Sequence, residues 1–118
     1  MKYACLVYYD EQRMAEMSGA EWDALVGECL SYGESIRTSG HFLGGEPLEP
    51  TTTATTLRVR DGKVLTTDGP FAETKEQLAG FYLIEARDLN EALQVAAHIP
   101  PARYGSIEVR PLRNLRGA

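Results

Sequence analysis

Little in this chain invites metal, redox or nucleic-acid chemistry. Only two cysteines occur in 118 residues, Cys5 and Cys29, and they form no Cys-x-x-Cys pair. Zinc-ligand spacing and a redox dithiol motif are both missing. The two thiols read instead as buried groups that pack like small hydrophobes. Histidine is equally scarce, with His41 and His98 alone. No Ser-His-Asp order, phosphate loop or metal-ligand cluster is present. Twelve basic residues face seventeen acidic ones, for a net charge of −5. That balance argues against nucleic acid, because phosphate contacts need a basic footprint. No apolar run nears the ~18 residues of a membrane span. The opening segment Met1–Asp10 has no small-residue cleavage site and reads as a strand. The expectation is a cytoplasmic domain with no cofactor, metal, nucleic-acid or membrane partner.

What is present is ordinary for a globular domain: 43% apolar and 25% charged residues. A chain of this length buries roughly two thirds of its unfolded surface without a disulfide. Residues 1–112 read as one domain and 113–118 as a tail. Charge is uneven. Residues 1–60 carry five basic and nine acidic groups, while 61–118 carry seven and eight.

The first strand is expected at Lys2 to Tyr9, with apolar residues on both faces, so both faces need cover. Ser18-Gly19-Ala20-Glu21 is a capping box that opens a helix of about twenty residues. Its stripe, Trp22, Leu25, Val26, Cys29, Gly33 and Ile36, is expected to be buried. Ser39-Gly40 ends it. Residues 41–50 suit an edge strand. Asp61-Gly62 is the turn of a hairpin that pairs 55–60 with 63–68. In that register Val59 faces Val64, Leu57 faces Thr66 and Thr55 faces Asp68. A second doubly apolar strand covers 78–86. Asp88 caps a second helix with Ala92, Leu93, Ala96 and Ile99 inward, stopped by Pro100-Pro101. The last strand covers 106–112, with Ile107 and Val109 inward. This order predicts an α+β fold, a ferredoxin-like βαββαβ sandwich with an inserted β-hairpin. The helix-free sheet face, apolar and uncovered, predicts a homodimer through that face.

Chemistry concentrates in Asp68-Gly69-Pro70-Phe71-Ala72-Glu73-Thr74-Lys75-Glu76-Gln77. Phe71 is expected to plug an apolar layer below the turn. Asp68, Glu73 and Lys75 are candidate catalytic groups, since each holds or gives a proton once its pKa is tuned. The other reading is structural: Asp68 caps backbone N–H groups and Lys75 pairs with a neighbouring acid. His41 is a further catalytic candidate. Tyr8, Thr74, Tyr82 and Arg110 are candidate ligand-binding residues around a cleft beside the loop.

DGPFAETKE at 68–76 resembles the signature of DGPF-domain proteins, a branch of the YCII-related family. The text at 55–63, 80–84 and 102–111 is similar to that family as well. The resemblance implies a dimeric α+β barrel of ferredoxin-like protomers. It also implies a link to extracytoplasmic-function sigma factors, hence a regulatory binding module as the alternative to a small-molecule binder or enzyme. Shorter relatives carry a His–Asp pair proposed as catalytic, with the His near the start of the first helix. Here Ser18, Glu21 and Trp22 occupy that region.

Overall fold

A computed structural model describes residues 1–117. Its elements run β1 (Lys2–Tyr9), α1 (Glu11–Ala15), α2 (Gly19–Thr38), β2 (Phe42–Pro47), β3 (Thr55–Arg60), β4 (Lys63–Asp68), β5 (Gln77–Glu85), α3 (Leu89–Ala97) and β6 (Ser106–Pro111). Short 3-10 turns lie at Thr51–Thr53 and Pro100–Arg103. Four strands form an antiparallel sheet in the order β2-β5-β1-β6. This α+β arrangement, with helices packed on an antiparallel sheet, is compatible with a ferredoxin-like fold. β3 and β4 form a separate two-stranded sheet.

Local chemistry sets the element ends. The Ser18 hydroxyl accepts from the Glu21 N–H at 3.1 Å, and the Glu21 carboxylate accepts from the Ser18 N–H at 3.1 Å. Both orphan donors at the start of α2 are thereby satisfied. Asp88 caps α3 in the same way, accepting from the Glu91 N–H at 2.9 Å. Asp61 (φ 52°) and Gly62 (φ 74°) supply the two positive φ values of a primed hairpin turn. The hairpin register is the one the turn dictates: Val59 opposite Val64, Leu57 opposite Thr66, Thr55 opposite Asp68.

The core lies on one face of the four-stranded sheet. Tyr3, Cys5 and Val7 of β1 and Ile84 of β5 pack there with Ala92 and Ala96 of α3 and with Ile99. Ile107 and Val109 of β6 flank it, as their alternation predicts. The alternate β1 residues Ala4, Leu6 and Tyr8 point to the other face and are half-buried. Leu83 and Phe81 stand opposite Ala4 and Leu6. The Tyr3–Cys5–Val7 face takes the helices.

Three expectations need correction. The α2 stripe is not uniformly buried: Leu25 and Ile36 are, but Trp22 and Val26 are exposed and Cys29 and Gly33 half-buried. A cavity runs beneath that part of the helix. Leu93 of α3 is also exposed, because the small Ala92 and Ala96 take the position nearest the sheet. Phe71 is 80% exposed and plugs nothing. The loop that carries it leaves a two-stranded sheet that pairs with no other strand. The short helix α1 adds an element between β1 and α2; Asp10 caps it, accepting from the Gln12 N–H at 3.0 Å. In the tail, residues 113–117 are exposed and Ala118 lies outside the described residues. Among the described residues no helix is long and apolar enough to cross a membrane.

Candidate functional site

The chain leaves two neighbouring cavities on the α2 side of the sheet. The first, about 680 Å³, lies among the β1–α1 junction, the start of α2 and the 47–50 segment. The second, about 440 Å³, lies between α2 and the β2–β5 edge. Tyr9, Trp22, Pro47 and Ala79 line both. Trp22, the single tryptophan of the chain, therefore touches the whole site.

The first cavity has a fixed wall. The Glu11 carboxylate accepts from the Thr51 N–H at 2.8 Å and from the Thr51 hydroxyl at 2.7 Å. The Glu11 N–H donates to Gln77 Oε1 at 2.9 Å. These bonds tie α1 both to the segment leaving β2 and to the start of β5. Glu11 is thus a brace: its oxygens are occupied by Thr51.

The second cavity is apolar with a few polar groups. Tyr82 of β5, Cys29 and Gly33 of α2, and Phe42 of β2 line it. The Tyr82 ring meets the Tyr32 ring edge-on, with centroids 6.0 Å apart and planes at 80°. Tyr32 donates its hydroxyl hydrogen to the Val95 carbonyl, which locks α2 to α3. The Arg37 guanidinium stands 4.7 Å over the Phe42 ring and binds Glu34 at 2.7 Å. Arg37 is therefore already paired within the wall.

Burial sets the protonation of the lining groups. It pushes the Tyr82 phenol up, with a smaller push from Cys29. Burial likewise pushes the Cys29 thiol up; Glu28 adds to this and Arg103 opposes it. The Tyr9 phenol is raised by burial first, then by Glu11 and Cys29. All three are neutral, protonated donors near neutral pH. Desolvation penalises the thiolate or phenolate, so the cavity offers O–H and S–H donors and no strong nucleophile. Among the described residues no group of three or more His, Cys, Asp and Glu is placed to hold a metal ion.

Of the eight residues singled out from sequence, only Tyr82 lines either cavity. Asp68 at the end of β4, and Glu73 and Lys75 in the segment between β4 and β5, are exposed and form no ion pair among the described residues. The Asp68 carboxylate caps no backbone N–H there; the Gly69 N–H donates instead to the Ala54 carbonyl at 2.7 Å. Thr74 donates to the Glu76 carbonyl, and Gln77 Nε2 donates to the Thr74 carbonyl at 2.7 Å. His41 lies at the opposite end of β2, its Nδ1 2.7 Å from the Ser39 hydroxyl and its Nε2 3.4 Å from Glu91. Tyr8 and Arg110 lie on the helix-free sheet face, where Arg110 pairs with Glu108.

Sequence reasoning passed over Tyr9, Trp22 and Cys29. A signal existed: the α2 stripe mixes a tryptophan with a glycine at core spacing. That mixture fills space badly, whereas the α3 stripe is built on alanines. Comparison with known proteins fits the architecture. The model of the YCII-related domain matches residues 1–116. An uncharacterised protein of Rhizobium meliloti is 42% identical over 114 residues, covering 95% of this chain and 92% of that relative. With nearly the whole chain matched by both, the protein belongs to the YCII-related domain family.

Proposed function

We propose that the protein binds a small, uncharged, largely apolar molecule between α2 and the β2–β5 edge, and that it does so as a homodimer joined through its helix-free sheet face. One observation carries the binding reading: a cavity of about 440 Å³ opens where the α2 stripe fails to reach the sheet. That volume suits a ligand of drug-like size. The lining favours a neutral molecule. Tyr82, Cys29 and Tyr9 are kept protonated by burial, so they donate to a carbonyl or ether oxygen. The one cation of the lining, Arg37, is matched there by the acids Glu34 and Glu46, which disfavours an anion. The dimer reading is supported by the half-buried row of Ala4, Leu6, Phe81 and Leu83, which no helix covers.

N-phenyl-1-naphthylamine, an uncharged apolar probe, tests the site. Binding is expected to raise its emission and to quench Trp22. Gly33 lies inside α2, and a Cβ built there meets nothing within 4 Å. Gly33→Leu fills the cavity while removing a helix-interior glycine, a change worth about 0.5–1 kcal/mol in favour of the fold. The expected result is a folded, equally or more stable protein with probe binding lost. Undiminished binding in Gly33→Leu, or no binding by the wild type, overturns the reading.

A further inference from the structure

No strand residue of the β3–β4 hairpin is buried. Of its twelve strand residues all but Thr56 are exposed. Leu57, Val59, Val64 and Leu65 are each more than half exposed. Leu57, Val59 and Val64 share one face of the hairpin. An isolated two-stranded hairpin is at best marginally stable in water, so an apolar one needs cover. The arm also distorts the overall shape. The radius of gyration is 16.3 Å and the molecule measures 48 × 46 × 20 Å. A compact chain of this length has a radius of gyration of about 13.5 Å.

Charge and area indicate what covers it. The arm, residues 55–68, carries Arg58, Arg60 and Lys63 against Asp61 and Asp68, a net +1. The whole chain carries −5, so everything outside the arm nets −6. The arm is thus the cationic part of an acidic protein and complements the body of another copy. Four strands about 4.8 Å apart and roughly 24 Å long give the helix-free sheet face a footprint of only roughly 450 Å². A stable interface takes roughly 800 Å² from each partner. The arm, continuous with the same protomer, supplies roughly 200 Å² more on its apolar face.

We infer that the β3–β4 hairpin is a docking arm that grips a second copy of this chain, with Leu57, Val59 and Val64 as its apolar contact and Arg58, Arg60 and Lys63 as its charged rim. This rests on the homodimer reading above and adds a second, separable contact to it. No arm residue belongs to the buried core, so the double variant Leu57→Glu/Val64→Glu is expected to leave the four-stranded sheet intact.

Sedimentation velocity across a dilution series tests the arm on the full chain, with circular dichroism to confirm the fold. The expected result is a wild-type dimer whose dissociation constant rises at least about 100-fold in Leu57→Glu/Val64→Glu. The charge reversal Arg60→Glu/Lys63→Glu is expected to weaken the dimer by about 10-fold and to flatten its salt dependence. Hydrogen exchange gives a second readout: amides of 57–66 gain protection as concentration rises through the dimer transition. Leu6→Glu on the sheet face separates the two claims. If Leu6→Glu breaks the dimer but the arm variants leave it unchanged, the arm proposal falls while the sheet-face dimer stands. A monomeric wild type overturns both. Flotation of the wild type with phosphatidylglycerol vesicles, lost in the arm variants, assigns the arm to a membrane surface and also overturns the proposal.

Discussion

Two helices lie on the same face of one sheet, and they do different things. α3 sets Ala92 and Ala96 against Tyr3, Cys5 and Ile84 and closes the core. α2 spans more than twice as many residues, yet only Leu25 and Ile36 of its stripe are buried. Alanines let α3 sit close to the sheet. α2 leaves Trp22 and Val26 exposed and meets β5 through the Tyr32–Tyr82 ring pair, with a cavity between the helix and the β2–β5 edge. The comparison teaches that helical periodicity identifies a face and not what the face meets. Side-chain bulk decides whether it meets a core or a hole.

The sharpest way to break this comparison is to truncate one residue under each helix. Ile84→Ala, in the closed half, is expected to cost about 2–5 kcal/mol in urea unfolding at fixed protein concentration. Val26→Ala, on the cavity wall, is expected to cost less than about 1 kcal/mol. Equal costs would mean that α2 is as tightly packed as α3. The bond between the helices comes next. Tyr32→Phe removes the hydroxyl that donates to the Val95 carbonyl. It should destabilise by about 1 kcal/mol and loosen probe binding, while Tyr32→Ala should also disturb the Tyr82 ring.

Thiol reactivity sharpens the contrast. Burial pushes the Cys5 thiol, in the closed half, up to about 11. Near pH 8 only about a thousandth of it is thiolate. Cys29 is also raised, but it borders the cavity. Iodoacetamide should therefore label Cys29 first, at a rate still climbing above pH 9, and label Cys5 only on unfolding. Cavity ligands should slow the Cys29 reaction. Labelling of Cys5 at the Cys29 rate would sink the distinction.

The smallest expected effect lies at the helix starts. Glu21 is held below the usual carboxylate range by the Ser18 N–H and hydroxyl. Glu91 is held low by the Arg87 N–H, then by its guanidinium. Each is more acidic folded than unfolded. Its contribution is complete above the unfolded value and is lost as pH falls through the folded one. Stability should be flat from neutral pH down to about pH 5 and decline below about 4.5, with faster amide exchange at both helix starts. Glu21→Gln and Glu91→Gln should each shrink that decline.

Much of this architecture was written locally. The capping box at Ser18–Glu21, the Asp61-Gly62 turn with its register, and the inward parity of Ile107 and Val109 each depend on neighbours a few residues away. The candidate site was less legible. Asp68, Glu73 and Lys75 drew attention because charged residues clustered in sequence, yet they line neither cavity. Tyr9, Trp22 and Cys29 gave little sign of their role, because aromatic and thiol side chains at core spacing resemble core.

The sequence by itself determined the order of the strands and the two long helices, the caps of those helices, and the hairpin register. These follow from backbone preferences and short-range hydrogen bonds that need no partner far along the chain. Only the tertiary structure decided that α3 closes a core while α2 roofs a cavity. It also decided that the hairpin pairs with no strand of the main sheet, with its apolar face and Phe71 exposed. Those outcomes depend on how side-chain volumes from distant segments add up in space, and periodicity carries no record of volume.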